Sequence, residues 1–192
     1  MKRTSARTIV WAGAAAACIL LGAALAPAQP TTIDRQYEIK AKFLYFLAEN
    51  LQRNPSPAGK PIIAAVGKQQ AGIQQFEDTT RPLKSVDWAF YPDVAKFINA
   101  VKEKPSVQPH ILFFFRDEPN KIDEALEELD RNELKTMVLV TEQPDRFRKV
   151  AANFYEDRAA NRVRVQLRKS SLPQGVTPTQ KLLTLSGVTV YD

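Results

Sequence analysis

The chain has 192 residues, with 27 basic and 21 acidic side chains but only one cysteine and one histidine. This length suits one domain with a sizeable core. With Cys18 and His110 as the only residues of their kinds, the composition excludes a disulfide framework, a zinc site built on several cysteines and a site built on several histidines.

The first 28 residues have the pattern of a secretory signal peptide. Lys2, Arg3 and Arg7 form a basic start, residues 9–26 are continuously apolar, and Ala26-Pro27-Ala28 supplies small residues before a cut ahead of Gln29. The leader holds three of the 27 basic residues and no acidic one, so the mature chain of 164 residues would carry a net charge of +3. That charge is ordinary and does not indicate nucleic-acid binding. We expect a soluble periplasmic protein spanning residues 29–192.

Two alternatives for this leader stay open. The apolar stretch is long enough to span a bilayer, so it could be an uncleaved anchor. Cys18 could in principle be a lipoprotein cysteine, although the apolar run continues past it, whereas a lipid-modified cysteine should close that run. The small residues at 26–28 favour cleavage.

The mature chain begins with a predicted amphipathic helix over about residues 34–53. Ile39, Phe43, Phe46, Leu47 and Leu51 recur at helical spacing, and Asp34 is a good N-cap. A loop rich in proline and glycine follows at 54–59. Strands are predicted at 61–66, 86–91, 110–115, 136–140 and 162–167. Helices are predicted at 70–76, at 93–102 with Asp93 as its cap, at 120–129, from 145 to 150, and at 178–185.

Short apolar strands that alternate with helices predict an α/β fold. We expect a single three-layer, Rossmann-like domain, in which a mostly parallel sheet of about five strands is flanked by helices. Ligands in such sheets favour the carboxyl ends of the strands. That rule nominates a ligand site from residues after the first, third and fourth strands: Gly67, Lys68, Arg116, Asp117, Thr141 and Glu142.

No set of residues in the sequence requires catalysis. Residues 67–72 lack the GK[ST] ending of a phosphate loop. His110 begins an apolar strand and is best interpreted as a hydrogen-bonded structural residue. The carboxylates at 127–130 suit a solvated helix face better than acid–base chemistry. We therefore expect no enzyme activity, no catalytic residue, no metal site and no cofactor.

Residues 37–45 (YEIKAKFLY) resemble the opening helix of the YfiR-like family of periplasmic proteins. The resemblance continues in order over nearly all of the mature chain. Residues 61–67 resemble the first strand of that family, which ends in glycine, 111–114 its central strand, 138–141 the next strand, 163–165 a later strand, and 175–185 its closing helix.

The resemblance implies a non-catalytic periplasmic regulator with an α/β fold. The best-known members bind the periplasmic sensor region of a membrane-anchored diguanylate cyclase and repress it, which lowers cyclic di-GMP and biofilm formation. Members tend to dimerise, so a homodimer is a further expectation. The expected partner is the periplasmic part of an inner-membrane signalling protein, and an exposed apolar patch on the first or last helix would fit that role.

The chain departs from the family pattern in several places. Asn54 precedes Pro55 where the family usually has an aromatic residue, residues 150–155 replace a glycine-rich turn, and cysteines are absent from the mature chain, so no redox switching can be carried over. Two other classes of function remain. A periplasmic small-molecule binder would have a pocket at Lys68, Arg116 and Glu142. A hydrolase would need a nucleophile and base that the sequence does not offer.

Overall fold

Two faces of one sheet are covered by helices in a computed structural model that describes residues 32–56, 59–68, 70–116, 119–143, 148–157, 159–160 and 162–192. The predicted signal peptide at 1–28 lies outside the described residues. Residues 32–192 form one compact unit. In the part of the chain that the structure describes, no helix is long and apolar enough to cross a membrane.

The elements alternate along the chain as the sequence predicts. The helices are α1 (Thr32–Asn50), α2 (Gln70–Thr80), α3 (Val94–Glu103), α4 (Pro119–Arg131) and the single-turn α5 (Gln180–Leu183). The strands are β1 (Leu51–Arg53), β2 (Ile62–Val66), β3 (Asp87–Tyr91), β4 (Ile111–Phe114), β5 (Val138–Thr141), β6 (Ala152–Asp157), β7 (Arg162–Arg168), β8 (Val176–Pro178) and β9 (Val188–Tyr191). The Asp93 carboxylate accepts a hydrogen bond from the Lys96 amide and caps α3, as predicted.

Seven strands form the main sheet, in the order β3-β2-β4-β5-β6-β7-β9. The first five in this order are parallel to one another, β7 is antiparallel to β6, and β9 is parallel to β7. The predicted α/β class and the mostly parallel sheet are therefore confirmed. All five predicted strands belong to the sheet, which β6 and β9 extend beyond the expected five.

Every residue of β4 is buried, because its side chains alternate between two covered faces. On one face, α1 and α2 pack over the sheet through Leu44, Leu47, Phe76, Ile63, Phe113 and Phe154. On the other face, α3 and α4 pack through Phe97, Ile98, Leu112, Phe114, Ile122 and Leu129. Full burial of each such side chain stabilises the fold by about 1.5–3 kcal/mol, so the sheet requires both helical layers. The three-layer prediction is thereby confirmed.

The described residues differ from the predicted elements at the end of the first helix, at the last helix and at β6. Helix α1 ends at Asn50, because residues 51–53 form β1 and pair with β8 in a separate two-stranded ribbon. The helix predicted at 178–185 is the single turn α5, after which the chain reverses at Gly187 and enters β9. The helix predicted from 145 falls largely outside the described residues, and β6 forms where no strand is predicted.

The turn before β8 depends on Gly175. Its φ is +78°, and an added Cβ would lie 2.5 Å from the backbone oxygen of Asn54. The approach is close because the Asn54 amide donates a hydrogen bond to the Gly175 oxygen at 2.8 Å. Gly187 also has a positive φ, of +95°, but a Cβ there would meet no atom within 4 Å.

We expect Gly175→Ala to destabilise the protein more than Gly187→Ala. A left-handed backbone costs an alanine roughly 1–2 kcal/mol at either position, and only residue 175 adds a backbone clash. The free energy of unfolding, measured by urea titration of both variants, checks this. Equal losses at the two positions would contradict the close approach of Gly175 to Asn54.

Candidate functional site

A cleft of about 260 Å³ opens at the carboxyl ends of β4, β5 and β6, beside α1. Parallel sheets commonly bind ligands at this edge. Polar and charged side chains line most of the cleft: Lys40, Arg116, Glu142, Tyr155, Glu156 and Gln166.

The floor of the cleft contains a buried ion pair between α1 and the end of β5. The Lys40 ammonium donates a hydrogen bond to Oε2 of Glu142 at 2.7 Å, and the two side chains are only 7% and 5% exposed. The same ammonium lies 4.6 Å from the ring centre of Tyr37. Each buried charge would be unfavourable alone. The pair therefore fixes the position of α1 relative to the sheet edge.

The Glu142 carboxylate is incompletely satisfied. Burial raises its pKa, while the charge and hydrogen bond of Lys40 and the charge of Arg116 oppose that rise. Its Oε1 atom is buried and forms no hydrogen bond with any described residue. An unsatisfied buried acceptor costs about 1–3 kcal/mol. The cleft thus contains a buried acceptor atom, Oε1 of Glu142, with no donor among the described residues.

The structure brings two of the predicted site residues together. Arg116 is exposed and Glu142 is buried, and both line the cleft. Thr141 is fully buried, and its hydroxyl accepts a hydrogen bond from the Gln143 amide, which is a structural role at the strand end. Asp117 lies outside the described residues.

Gly67 and Lys68 follow β2 at the same edge of the sheet but do not line this cleft. The Gly67 amide donates a hydrogen bond to the Tyr91 oxygen at 3.0 Å, which joins the ends of β2 and β3. Lys68 is exposed. The small-molecule pocket that the sequence places at Lys68, Arg116 and Glu142 therefore has only its last two members in one cleft.

Sequence reasoning missed Lys40, Tyr155, Glu156 and Gln166. The sequence pattern around Lys40 could have indicated its burial. Lys40 lies three residues after Tyr37 and four before Leu44, on the buried face of the helix. A lysine on that face requires a buried partner. Tyr155 and Glu156 were missed because β6 was not predicted.

His110 lies at the opposite edge of the sheet, before β4. Its Nδ1 accepts a hydrogen bond from the Ile62 amide at 3.0 Å, in agreement with its interpretation as a structural residue. Burial and the charge of Arg53 lower its pKa. In the described ranges, no three histidine, cysteine, aspartate or glutamate side chains are grouped to hold a metal ion.

Comparisons with known proteins bear on the fold alone. No family model matches the chain, and no curated protein matches it. The crystal structure of a conserved domain protein from Vibrio cholerae O1 biovar El Tor strain N16961 is similar, with a TM-score of 0.53 and 13% sequence identity. The match covers 81% of this chain, and this chain spans 60% of the length of that protein. At this identity, the likeness supports a shared α/β architecture and no shared activity.

The buried ion pair predicts a strongly non-additive double-mutant cycle. We expect Lys40→Met to cost about 3–5 kcal/mol, because it leaves a buried carboxylate unpaired. Lys40→Met with Glu142→Met should cost less than Lys40→Met alone. Urea unfolding of the wild type, both single variants and the double variant measures the coupling, and additive losses would contradict a buried pair.

The free energy of unfolding of the Lys40→Met variant should also depend on pH, in a direction that the Glu142 pKa sets. The raised pKa of Glu142 means that the folded state binds a proton more tightly than the unfolded state. The contribution of Glu142 to the stability of the variant should therefore be greatest below the ordinary glutamate pKa of about 4.3 and be lost as pH rises through the higher folded pKa. Glu142→Met, which removes the carboxyl, serves as the control and should lack this component.

Proposed function

We propose that this chain is an exported, non-catalytic regulator that binds the periplasmic region of an inner-membrane signalling protein. By its resemblance to the YfiR-like family, the partner would be a diguanylate cyclase that this chain represses, with cyclic di-GMP and biofilm formation lowered as a result. The observation that carries the proposal is an apolar stripe along α1, formed by the exposed Ile39 and by the partly buried Phe43 and Phe46.

The stripe lies on a helix whose other side is already buried. Tyr37 and Leu44 are buried in the core, Ile39 is 42% exposed, and Phe43 and Phe46 are partly buried and pack against the core. Spacing of four and then three residues places the stripe along one side of the helix. Ile39 and Tyr191 are the exposed large hydrophobic residues of the described part. An apolar strip on a charged surface favours contact with another protein.

The location of the stripe links it to the resemblance. Residues 37–45 carry the opening family motif, and they include both Ile39 and Phe43. The remaining motifs follow on β2, β4, β5, β7 and the segment through α5, all within one compact unit. The predicted leader would deliver the protein to the compartment in which a membrane sensor exposes its periplasmic region. The homodimer expected from the resemblance could use the same stripe and is an alternative outcome of the test.

The test is capture of the partner with the protein tagged at its carboxyl end, from detergent-solubilised membranes of its own source, read by mass spectrometry. Ile39→Glu places a charge in the stripe. Asn99→Glu adds the same charge on an exposed position of α3, on the opposite layer of the domain. We expect the wild type and Asn99→Glu to recover an inner-membrane cyclase or kinase with a periplasmic region. Ile39→Glu should recover at least about tenfold less, because a charge in an apolar contact is desolvated on binding.

Recovery of the same membrane protein by Ile39→Glu and by the wild type would exclude the stripe as the contact surface. If the folded wild type recovers no membrane signalling protein, the regulator proposal fails. Recovery of only a second copy of this chain would replace the membrane partner with a homodimer.

A small-molecule-binding protein is the second candidate, and the cleft favours it. Arg116 offers an exposed guanidinium at the cleft, and the buried Oε1 of Glu142 lacks a hydrogen-bond donor among the described residues. Binding pockets commonly combine such convergent polar groups with an apolar wall, which Phe154 supplies here. A negative capture experiment with folded protein would direct the search to ligand screening by thermal shift.

A further inference from the structure

A second cavity, of about 640 Å³, opens at the amino ends of the strands, on the edge opposite the cleft. It lies between the end of α1, the β1–β8 ribbon and the starts of β2 and β4. Its polar lining includes Gln52, Arg53, Asn54, His110 and Thr177. The rule that ligands bind at the carboxyl edge did not nominate this cavity.

Arg53 brings a positive charge into the cavity wall without a matching carboxylate. Its guanidinium donates hydrogen bonds to the backbone oxygens of Thr136, at 3.1 Å, and of His110. No aspartate or glutamate is among the described residues that line the cavity. Burial lowers the pKa of Arg53, and no acidic group opposes that effect. These two bonds occupy two of the five guanidinium N–H groups.

His110 adds a second donor to the same wall. Because its Nδ1 accepts the Ile62 amide, the neutral ring carries its proton on Nε2. Burial and the neighbouring Arg53 charge lower the His110 pKa. Arg53 and His110 are the titratable side chains among the described residues that line the cavity.

We propose that this cavity binds a small organic anion, with its carboxylate or phosphate group held between the Arg53 guanidinium and the Nε2–H group of His110. The guanidinium matches both anionic groups geometrically, and an anion would supply the counter-charge that the protein omits. The inference is independent of the proposed membrane partner, since it concerns the opposite edge of the sheet from the cleft and a ligand that the purified protein binds by itself.

Anion binding and protonation of His110 are coupled at this site. A bound anion cancels the Arg53 charge that disfavours the imidazolium, so it raises the His110 pKa. By linkage, the anion binds more tightly when His110 is protonated. Affinity should therefore increase as pH falls through the His110 pKa.

The direct test is a pH titration of the His110 ring signals by NMR. The folded protein used for it carries no histidine tag. His110 is the only histidine of the chain, so its ring signals report on this cavity without assignment. Inorganic phosphate and citrate serve as probes at constant ionic strength, balanced with chloride. We expect at least one probe to raise the His110 pKa, which the ring signals report directly. The tighter probe identifies the anionic group.

Variants of Arg53 and His110 test whether these two side chains bind the anion. Arg53→Gln should weaken the probe about tenfold or more, because it removes the charge and the forked donors. Arg81→Gln removes an exposed arginine just after the end of α2, outside this cavity, and should bind as the wild type does. His110→Asn keeps an acceptor for the Ile62 amide but lacks the Nε2–H donor, so it should bind the probe more weakly than the wild type.

Two results would overturn the inference: a His110 titration that neither probe changes, or unaltered binding by folded Arg53→Gln. If Arg53→Gln does not fold, the pH titration of His110 in the wild-type protein is by itself the test of anion binding. Failure of these tests would leave the membrane-partner proposal untouched, because none of them involves the stripe on α1.

Discussion

The two-sided apolar character of the central strands is the constraint on which the rest of the structure depends. Because β2 and β4 present buried side chains to both faces, neither face can meet water, and a helical layer must cover each. The chain meets this requirement with α1 and α2 on one face and α3 and α4 on the other. The two ends of the strands are then the places where polar groups collect.

Helix α1 and the strand that follows it are tied to both of these ends. At the carboxyl edge, Lys40 is paired with Glu142. At the amino edge, Arg53 donates to backbone oxygens before β4 and β5. Helix α1 buries one side in the core and leaves Ile39, the residue before Lys40, exposed on the other. The element on which the proposed partner would dock is thus the element that borders both cavities.

The local pattern of apolar and polar residues was sufficient to predict much of the fold. The apolar runs at β2, β4 and β5 predicted buried parallel strands, and Asp93 marked the start of α3. Strand β9 was not predicted from the sequence. Leu182, Leu183 and Leu185, just before it, have the spacing of a helix. The turn into β9 depends on Gly187 at a positive φ. Strand β6 combines Asn153, fully buried, with apolar neighbours, a pattern without a clear period.

The candidate sites were less predictable than the fold, because they depend on contacts between distant parts of the chain. Arg116 and Glu142 followed from their positions after strands, whereas the partner of Glu142 is 102 residues away on α1. Lys68 follows a strand at the same edge but does not reach the cleft. The amino-edge cavity requires the β1–β8 ribbon, which pairs residues more than 120 positions apart and leaves no local pattern in the sequence.

The central claim, that the outer side of α1 is a partner surface, is tested most directly by photocrosslinking in cells of the source organism. A photoreactive amino acid at position 39 would report contacts of the stripe, and the same group at position 99 on α3 would report contacts of the opposite layer. The account predicts a crosslink from position 39 to an inner-membrane signalling protein and none from position 99. Crosslinking to that protein from position 99 alone, or from neither position while the tagged protein still captures it, would contradict the account.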